Sequence, residues 1–448
     1  MSQIDKIFWE TLRGPRQWVS SWFTAYALVG AVSSGLIPIL LPLMMVRLLP
    51  DELSAVGYVI GAFDLGALSS PLWGNLADAK KIYRLVFCGG LFLELVSMAV
   101  FPLAANLGIW LLLALLMGAG SAAVSTCATL LVVDFYPPAQ WTSRIGWLQT
   151  FNGAGQVLGL LLAGACVTIG YTFGLWLGAG LLAAAIILGL RFLPRSSQPG
   201  IPGRTSLISE AGLDFESLAR FARVELLGGG MLKHFHPTNI AGLKSLPHTL
   251  PTRFGRFLVS WFFVFLGVAG FFAYFPIFLQ QSFGVRPATT SLTYALAAGV
   301  SIVLYNLAGV WAQKIGSQKI YFFGRLTRFM GFVLMLIPLL IHTLPGSNLI
   351  AIFGFSVVVL TWPIISVTGT ELTSVLSPIS QGAAQGLNNA ANGVGTVVGT
   401  YLAGWLVHIA GYECIPIMAL VGLALSVAVD TSFHRPPRLS TVKITTHG

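Results

Sequence analysis

Charge is what this sequence has least of. Only 9% of its 448 residues are Asp, Glu, Lys or Arg, where a soluble domain carries roughly 25%. With 55% hydrophobic residues, the chain is built for lipid, and an ordinary water-soluble domain is excluded. Cysteine is scarce too. Cys88, Cys127, Cys166 and Cys414 are scattered through apolar segments without CxxC spacing. They read as small buried hydrophobes, neither a disulfide framework nor a metal site. Enzyme motifs are missing as well. The GGG at 228–230 is not followed by Lys-Ser or Lys-Thr, and HExxH and Ser/His/Asp arrangements do not occur. No catalytic residue, cofactor or metal is expected, so any work the protein does must draw on a gradient. The N-terminal segment, residues 1–18, is polar and lacks the short apolar core of a leader, so no cleaved signal peptide is expected.

Against these absences stand long apolar runs. A helix rises about 1.5 Å per residue and the hydrocarbon core is about 30 Å thick, so 18 or more apolar residues read as a span. Twelve runs meet this rule: 19–46, 54–76, 84–104, 108–133, 143–168, 173–193, 257–282, 290–313, 320–341, 349–375, 381–410 and 413–431. The net charge of +10 then has a topological explanation. With the N-terminus inside, every Lys and Arg except Arg47 and Arg286 falls on a cytoplasmic segment or its helix ends. This is the positive-inside asymmetry. It places both termini in the cytoplasm and leaves no reason to expect a nucleic-acid partner. The expected localisation is a multi-pass integral membrane protein, in a bacterial inner membrane.

The spans divide six and six around one long connection. The N-terminal bundle covers 1–193, the C-terminal bundle 257–431, and a cytoplasmic tail 432–448. The linker, 194–256, is rich in Pro, Gly, Ser and basic residues, with a candidate amphipathic helix around 215–227 lying at the lipid interface. His234 and His236 within it read as solvated.

The two halves repeat each other. FNGAGQVLGLLLAG, beginning at Phe151, aligns with ANGVGTVVGTYLAG, beginning at Ala391, at an offset of 240 positions. GNLADAKK, ending at Lys81, has a counterpart in GVWAQKIG, ending at Gly316, and Asp134 has one in Glu371. The glycines of the ladder are Gly153, Gly155, Gly159 and Gly164 in span five, with Gly393, Gly395, Gly399 and Gly404 in span eleven. Small residues let membrane helices approach closely, and two ladders at equivalent places suggest smooth faces on which the halves slide and tilt.

With Gly74, Leu76, Asp78, Lys80, Lys81 and Arg84 after span two, preceded by Pro71, and with Asp134, Pro137, Pro138 and Arg144 after span four, the chain resembles the major facilitator superfamily. The resemblance covers essentially all but the tails and the central linker. It implies an all-α polytopic fold of twelve transmembrane helices in two pseudo-symmetric six-helix bundles. It also implies alternating access, with spans one, four, seven and ten lining the solute cavity. The second copy departs from the motif, since Gln313 stands where the acid would be. In the first copy Lys81 replaces a glycine usual in the family.

Site candidates follow. A carboxylate beside basic groups at a membrane boundary can hold the bundles shut on the inner side. The cytoplasmic gate is therefore expected at Gly74, Asp78, Lys80, Lys81, Arg84, Asp134, Arg144, Lys314 and Glu371, with Glu371 pairing with Lys314 or Arg325. A charge at the bilayer centre costs about 2.5–3.5 kcal/mol or more and is functional by default. Asp64 is ten residues before Gly74, about 15 Å up the helix, and so near the midplane. A carboxyl there can keep a proton while dry and release it when water arrives. Asp64 and Glu94 are the proton-coupling candidates; the alternatives are a structural hydrogen bond from Asp64 to Ser33, Ser34 or a helix-end carbonyl, and Glu94 as a protonated packing residue. Uncharged polar and aromatic groups are left to meet substrate: Tyr26, Ser125, Tyr274, Gln280, Asn306, Trp362 and Asn389.

The expected function is secondary active transport of a small organic solute, as proton-coupled efflux of an amphipathic compound by a monomer. Span five resembles the family's antiporter signature, with Leu160 replacing its Pro and Ala163 one Gly. Proton-coupled uptake of a polar metabolite such as a sugar, lipid translocation and a non-transporting sensor are the alternatives.

Overall fold

The computed structural model describes residues 18–194, 252–341, 345–378 and 381–431. The linker helix, His234, His236, His342 and the C-terminal tail lie outside the described residues. Those residues form helices and connecting turns, with no strand among them. Eleven helices are long and apolar enough to cross a membrane: Phe23–Leu48, Ser54–Gly74, Tyr83–Leu103, Leu107–Phe135, Arg144–Ile169 and Tyr171–Phe192 in the first half, then Arg253–Phe283, Pro287–Tyr305, Ser317–Leu340, Ser347–Leu376 and Ala384–Ala410. A twelfth, Cys414–Asp430, is apolar but shorter. These are spans one to twelve below. Helix is the expected answer, because lipid offers the backbone no hydrogen-bond partners and each segment must satisfy its own. Large apolar side chains such as Phe92, Trp176, Leu296 and Trp405 stand exposed on the outside of the bundle, where acyl chains replace water.

Three spans are interrupted within their length. Span one widens into a π-helix over Gly30–Leu36. Pro38, just beyond, has no N–H to return to the Ser34 carbonyl, and the wide turns absorb the mismatch. Span two breaks between Ser54–Ala67 and Ser70–Lys80, and span ten between Ser347–Leu360 and Trp362–Leu376. Pro71 and Pro363 open the second pieces, where a proline is tolerated because its missing N–H is unpaired in any case. The runs read as single spans are thus each two helices, end to end.

The halves meet along two helix pairs, span two with span eleven and span five with span eight, and the outer part of span one packs on span seven. The glycine ladders divide their labour in the same way in both copies. A Cβ on Gly155 or Gly159 would lie 1.8 or 1.9 Å from the carbonyls of Ala27 and Ala31 in span one. A Cβ on Gly395 or Gly399 would lie 2.7 or 2.4 Å from those of Phe262 and Leu266 in span seven. These four seat a helix on its own half. The outer glycines face the other half: Gly153 toward Ile302, Gly164 toward Ser291, Gly393 toward Leu68 and Gly404 toward Ser54 and Gly57. The reading of both ladders as sliding faces is corrected accordingly. Half the glycines weld each bundle internally, and only the outer ones lie on the seam.

Candidate functional site: a cavity between the halves

Between the halves lies a cavity of about 850 Å³. The three interrupted helices reach it, contributing Ser33 and Ser34, Asp64, and Trp362. Span five adds Gln149, Asn152 and Gln156 from the first half. The second half supplies an aromatic and apolar wall that includes Phe265, Val268, Phe272 and Tyr294. A pocket of this size, mostly apolar with a few converging polar groups, is the form of a small-molecule site.

Asp64 sits where the cavity meets the seam of spans two and eleven. Its Oδ2 is 3.0 Å from the Thr400 hydroxyl of the opposite half. The same hydroxyl is 2.8 Å from the Thr396 carbonyl. Ser33 does not bond Asp64. It donates to Glu94 Oε1 at 2.5 Å. Glu94 is fully buried between spans three and four, its Oε2 has no hydrogen-bond partner, and Ser33 is its link to the cavity wall.

Two arginines of span nine take unlike environments. Arg325 pairs with Asp430 at 2.5 Å, donates to Ser426 Oγ at 2.7 Å and lies over the Tyr321 ring. Glu371, expected as its partner, makes no ion pair among the described residues. Span twelve places Asp430 beside Arg325 instead. Arg328, 1% exposed, lines the cavity. It donates from Nε to Thr361 Oγ1 at 3.0 Å and from Nη2 to the Val358 carbonyl at 3.1 Å, so it braces the break in span ten. Its guanidinium carbon stands 5.5 Å from the Trp362 ring centre. Counting every Lys and Arg but two as helix-end residues is therefore corrected. Arg328 is eleven residues past Ser317, half-way along span nine.

The two ends of the cavity differ. At one end its lining extends to Gly146, next to the basic segment that carries Arg144. At the other it stops at Ala273, and Tyr274 closes the way. The Tyr274 hydroxyl donates to the Leu53 carbonyl at 2.9 Å and accepts from the Gly57 N–H at 2.8 Å. Those two groups are four residues apart at the start of span two, so the phenol of one half is inserted into the first helical turn of the other. Gly57 and Gly404 bring spans two and eleven into backbone contact nearby.

At the basic end the described contacts lie within the first half. Lys81 Nζ is 3.7 Å from Asp134 Oδ1, Arg84 donates to the Leu190 carbonyl, and Arg144 bonds Gln140 and covers the Tyr136 ring. Gly74 lets span two pack on Thr126 of span four. The side chains of Asp78 and Lys80 lie outside the described residues, as does that of Asn306. Lys314 is exposed. Lys81 ends its helix at φ 54°, and its repeat partner Gly316 also has positive φ, 99°. The family's glycine is thus a backbone requirement. Lysine meets it here at a cost of about 1–2 kcal/mol.

Of the expected cavity residues, Trp362 lines the cavity. Tyr26 is buried inside its own half, Ser125 bonds back to Ala122, and Gln280 and Asn389 are exposed away from the lining. Tyr274 is the plug, not a cavity wall. Sequence depth along a span is readable, but which face turns inward depends on tertiary register. Among the described residues no group of three or more His, Cys, Asp or Glu could hold a metal ion.

A bundle of two such halves around one central pocket defines a polytopic membrane carrier. Residues 22–376 match the Major Facilitator Superfamily, and the chain belongs to that family of transporters. It is similar to the uncharacterized MFS-type transporter YwoD of Bacillus subtilis (strain 168), 24% identical over 67% of this chain and 71% of that one. It is also similar to the quinolone resistance protein NorA of Staphylococcus aureus, 27% identical over 31% of this chain and 35% of NorA. Similar solved folds include the nucleoside transporter NupG, with TM-score 0.64, 14% identity, and 92% and 96% of the two chains covered. The D-xylose–proton symporter gives 0.64, 14%, 94% and 97%. A bacterial homolog of the human lysosomal transporter Spinster, in an inward-facing and occupied conformation, gives 0.62, 16%, 93% and 94%.

Proposed function

We propose that this transporter expels amphipathic organic compounds from the cytoplasm in exchange for protons, with each chain a complete unit. Positive-inside placement of Lys and Arg makes the basic end cytoplasmic. In this reading the cavity reaches toward the cytoplasmic end, and Tyr274 is the plug on the outer side. A bacterial inner membrane suits the bacterial relatives, and the similarity to a quinolone resistance protein fits expulsion of a compound better than its uptake.

The observation that carries coupling is the arrangement around Thr400. Its hydroxyl has one hydrogen and two acceptors in reach, Asp64 Oδ2 and the Thr396 carbonyl. With a proton on Asp64, the carboxyl donates to Thr400, Thr400 donates to Thr396, and every group is satisfied. With Asp64 ionised, the one hydroxyl hydrogen turns to the carboxylate, the Thr396 carbonyl keeps its helical N–H, and a buried charge is held by a single hydrogen bond among the described residues, which is costly. The seam of spans two and eleven therefore closes best over a protonated Asp64 and opens as water takes the proton away. Binding and release of one proton become linked to the rocking of the halves.

Inverted membrane vesicles test this. Energised vesicles containing the protein should take up an amphipathic dye, and a protonophore should abolish the uptake. Uptake that survives collapse of the proton gradient, or dissipation of the gradient that no compound of a broad amphipathic panel elicits, would overturn the reading.

A further inference from the structure

Arg328 is a cation in a place where the fold alone does not need one. The break in span ten uses two of its N–H groups, through Thr361 and Val358, and a guanidinium carries five. No carboxylate lies within ion-pair distance of it among the described residues, whereas its neighbour Arg325 has Asp430. The remaining Nη1 end belongs to a side chain that lines the cavity and has 1% of its surface accessible. Buried charges are normally paired or hydrogen-bonded to capacity, so this one is left for something that enters the cavity.

The surroundings state what that is. Trp362 lies beside Arg328 with Phe265 edge-on against it at 5.6 Å, and Val268, Phe272 and Ile302 continue the apolar wall. Facing them, Gln149, Asn152 and Gln156 offer neutral hydrogen bonds. Among the described lining residues the charged ones are Arg328 and Asp64, and Asp64 already has Thr400. We propose that Arg328 is an anion subsite, and that the transported compounds are organic carboxylates with a flat apolar body. The carboxylate docks on the free edge of Arg328, and the body lies on Trp362, Phe265 and Phe272. This deepens the transport reading and rests on it.

The test is a binding measurement that does not depend on transport. Full-length protein in lipid nanodiscs is titrated calorimetrically with naphthoate, naphthamide and naphthylmethylammonium, one body with three head groups. The wild type should bind naphthoate about tenfold or more tighter than naphthamide, as a charge-assisted pair does over a neutral one, and the ammonium weakest. Arg328→Gln should bring acid and amide to within about threefold, while Arg328→Lys should retain part of the preference. Equal binding of acid and amide by the wild type, or a preference that survives in Arg328→Gln, would overturn the proposal. If Arg328 only braces span ten, Arg328→Gln lowers the melting temperature while the wild type already shows no preference for the acid. If naphthoate binds selectively but vesicles never move any compound, the transport reading fails and the anion subsite stands.

Discussion

The two halves share a scaffold and carry opposite charge. Both have a ladder of glycines at an offset of 240 positions, and in both the inner glycines weld to the first helix of the half while the outer ones face the seam. Inside the membrane, however, the first half holds the carboxyls Asp64 and Glu94, and the second holds the guanidiniums Arg325 and Arg328. The difference teaches that packing and chemistry separated after duplication. Close backbone approach admits no side chain, so both copies kept it. In the proposed mechanism the polar groups meet solute and proton instead, one half holding the proton and the other anchoring the solute.

That comparison is most easily broken at the ladders. Gly159→Val and Gly399→Val should abolish folded protein, because each side chain would meet a carbonyl well inside contact distance, an overpacking beyond the usual ~1–3 kcal/mol. Gly153→Ala, with 3.6 Å to Ile302, should fold and run as a single species in detergent chromatography. Equal damage from Gly153→Ala and Gly159→Val would end the division into welding and seam glycines.

A smaller effect on stability is expected from two ion pairs outside the cavity. Asp430→Asn strands the buried Arg325 and should cost about 3 kcal/mol, seen as a lower melting temperature. Lys81→Gln removes a partly exposed pair at the other end and should change stability by under about 1 kcal/mol. If the two variants melt alike, the contrast between a buried brace and a surface pair is mistaken.

Smallest is the plug. Tyr274→Phe removes two cross-half hydrogen bonds but lets Leu53 and Gly57 pair with each other, a net of about 1 kcal/mol or roughly fivefold in the open fraction. Cys414, half-buried at the same end, is a native reporter. Its alkylation by a membrane-impermeant maleimide should rise by that factor, and an unchanged rate would remove Tyr274 from gating.

Much of this was legible in the residues. Span count, duplication and the depth of Asp64 follow from hydropathy, spacing and helical rise. Arg328 was open to the same arithmetic: eleven residues past Ser317 is about 16 Å into the membrane, as deep as Asp64. It was missed because a basic residue near a cytoplasmic boundary satisfies the positive-inside rule whether or not it stays at the boundary. Tyr274 and the two faces of the glycine ladder could not have been read. Their roles depend on the register between halves, which spacing within one helix does not carry. Arg325 found Asp430 for the same reason, since only packing brings span twelve beside span nine.

The central claim is that the carboxyl at position 64 joins proton movement to the rocking of the halves. It is tested most directly in proteoliposomes with an imposed pH gradient, comparing the wild type with Asp64→Asn and using an amphipathic organic anion as the probe. Wild-type protein should concentrate a probe against its gradient. Asp64→Asn should still equilibrate that probe across the membrane but never concentrate it. Accumulation by Asp64→Asn at the wild-type level would contradict the account.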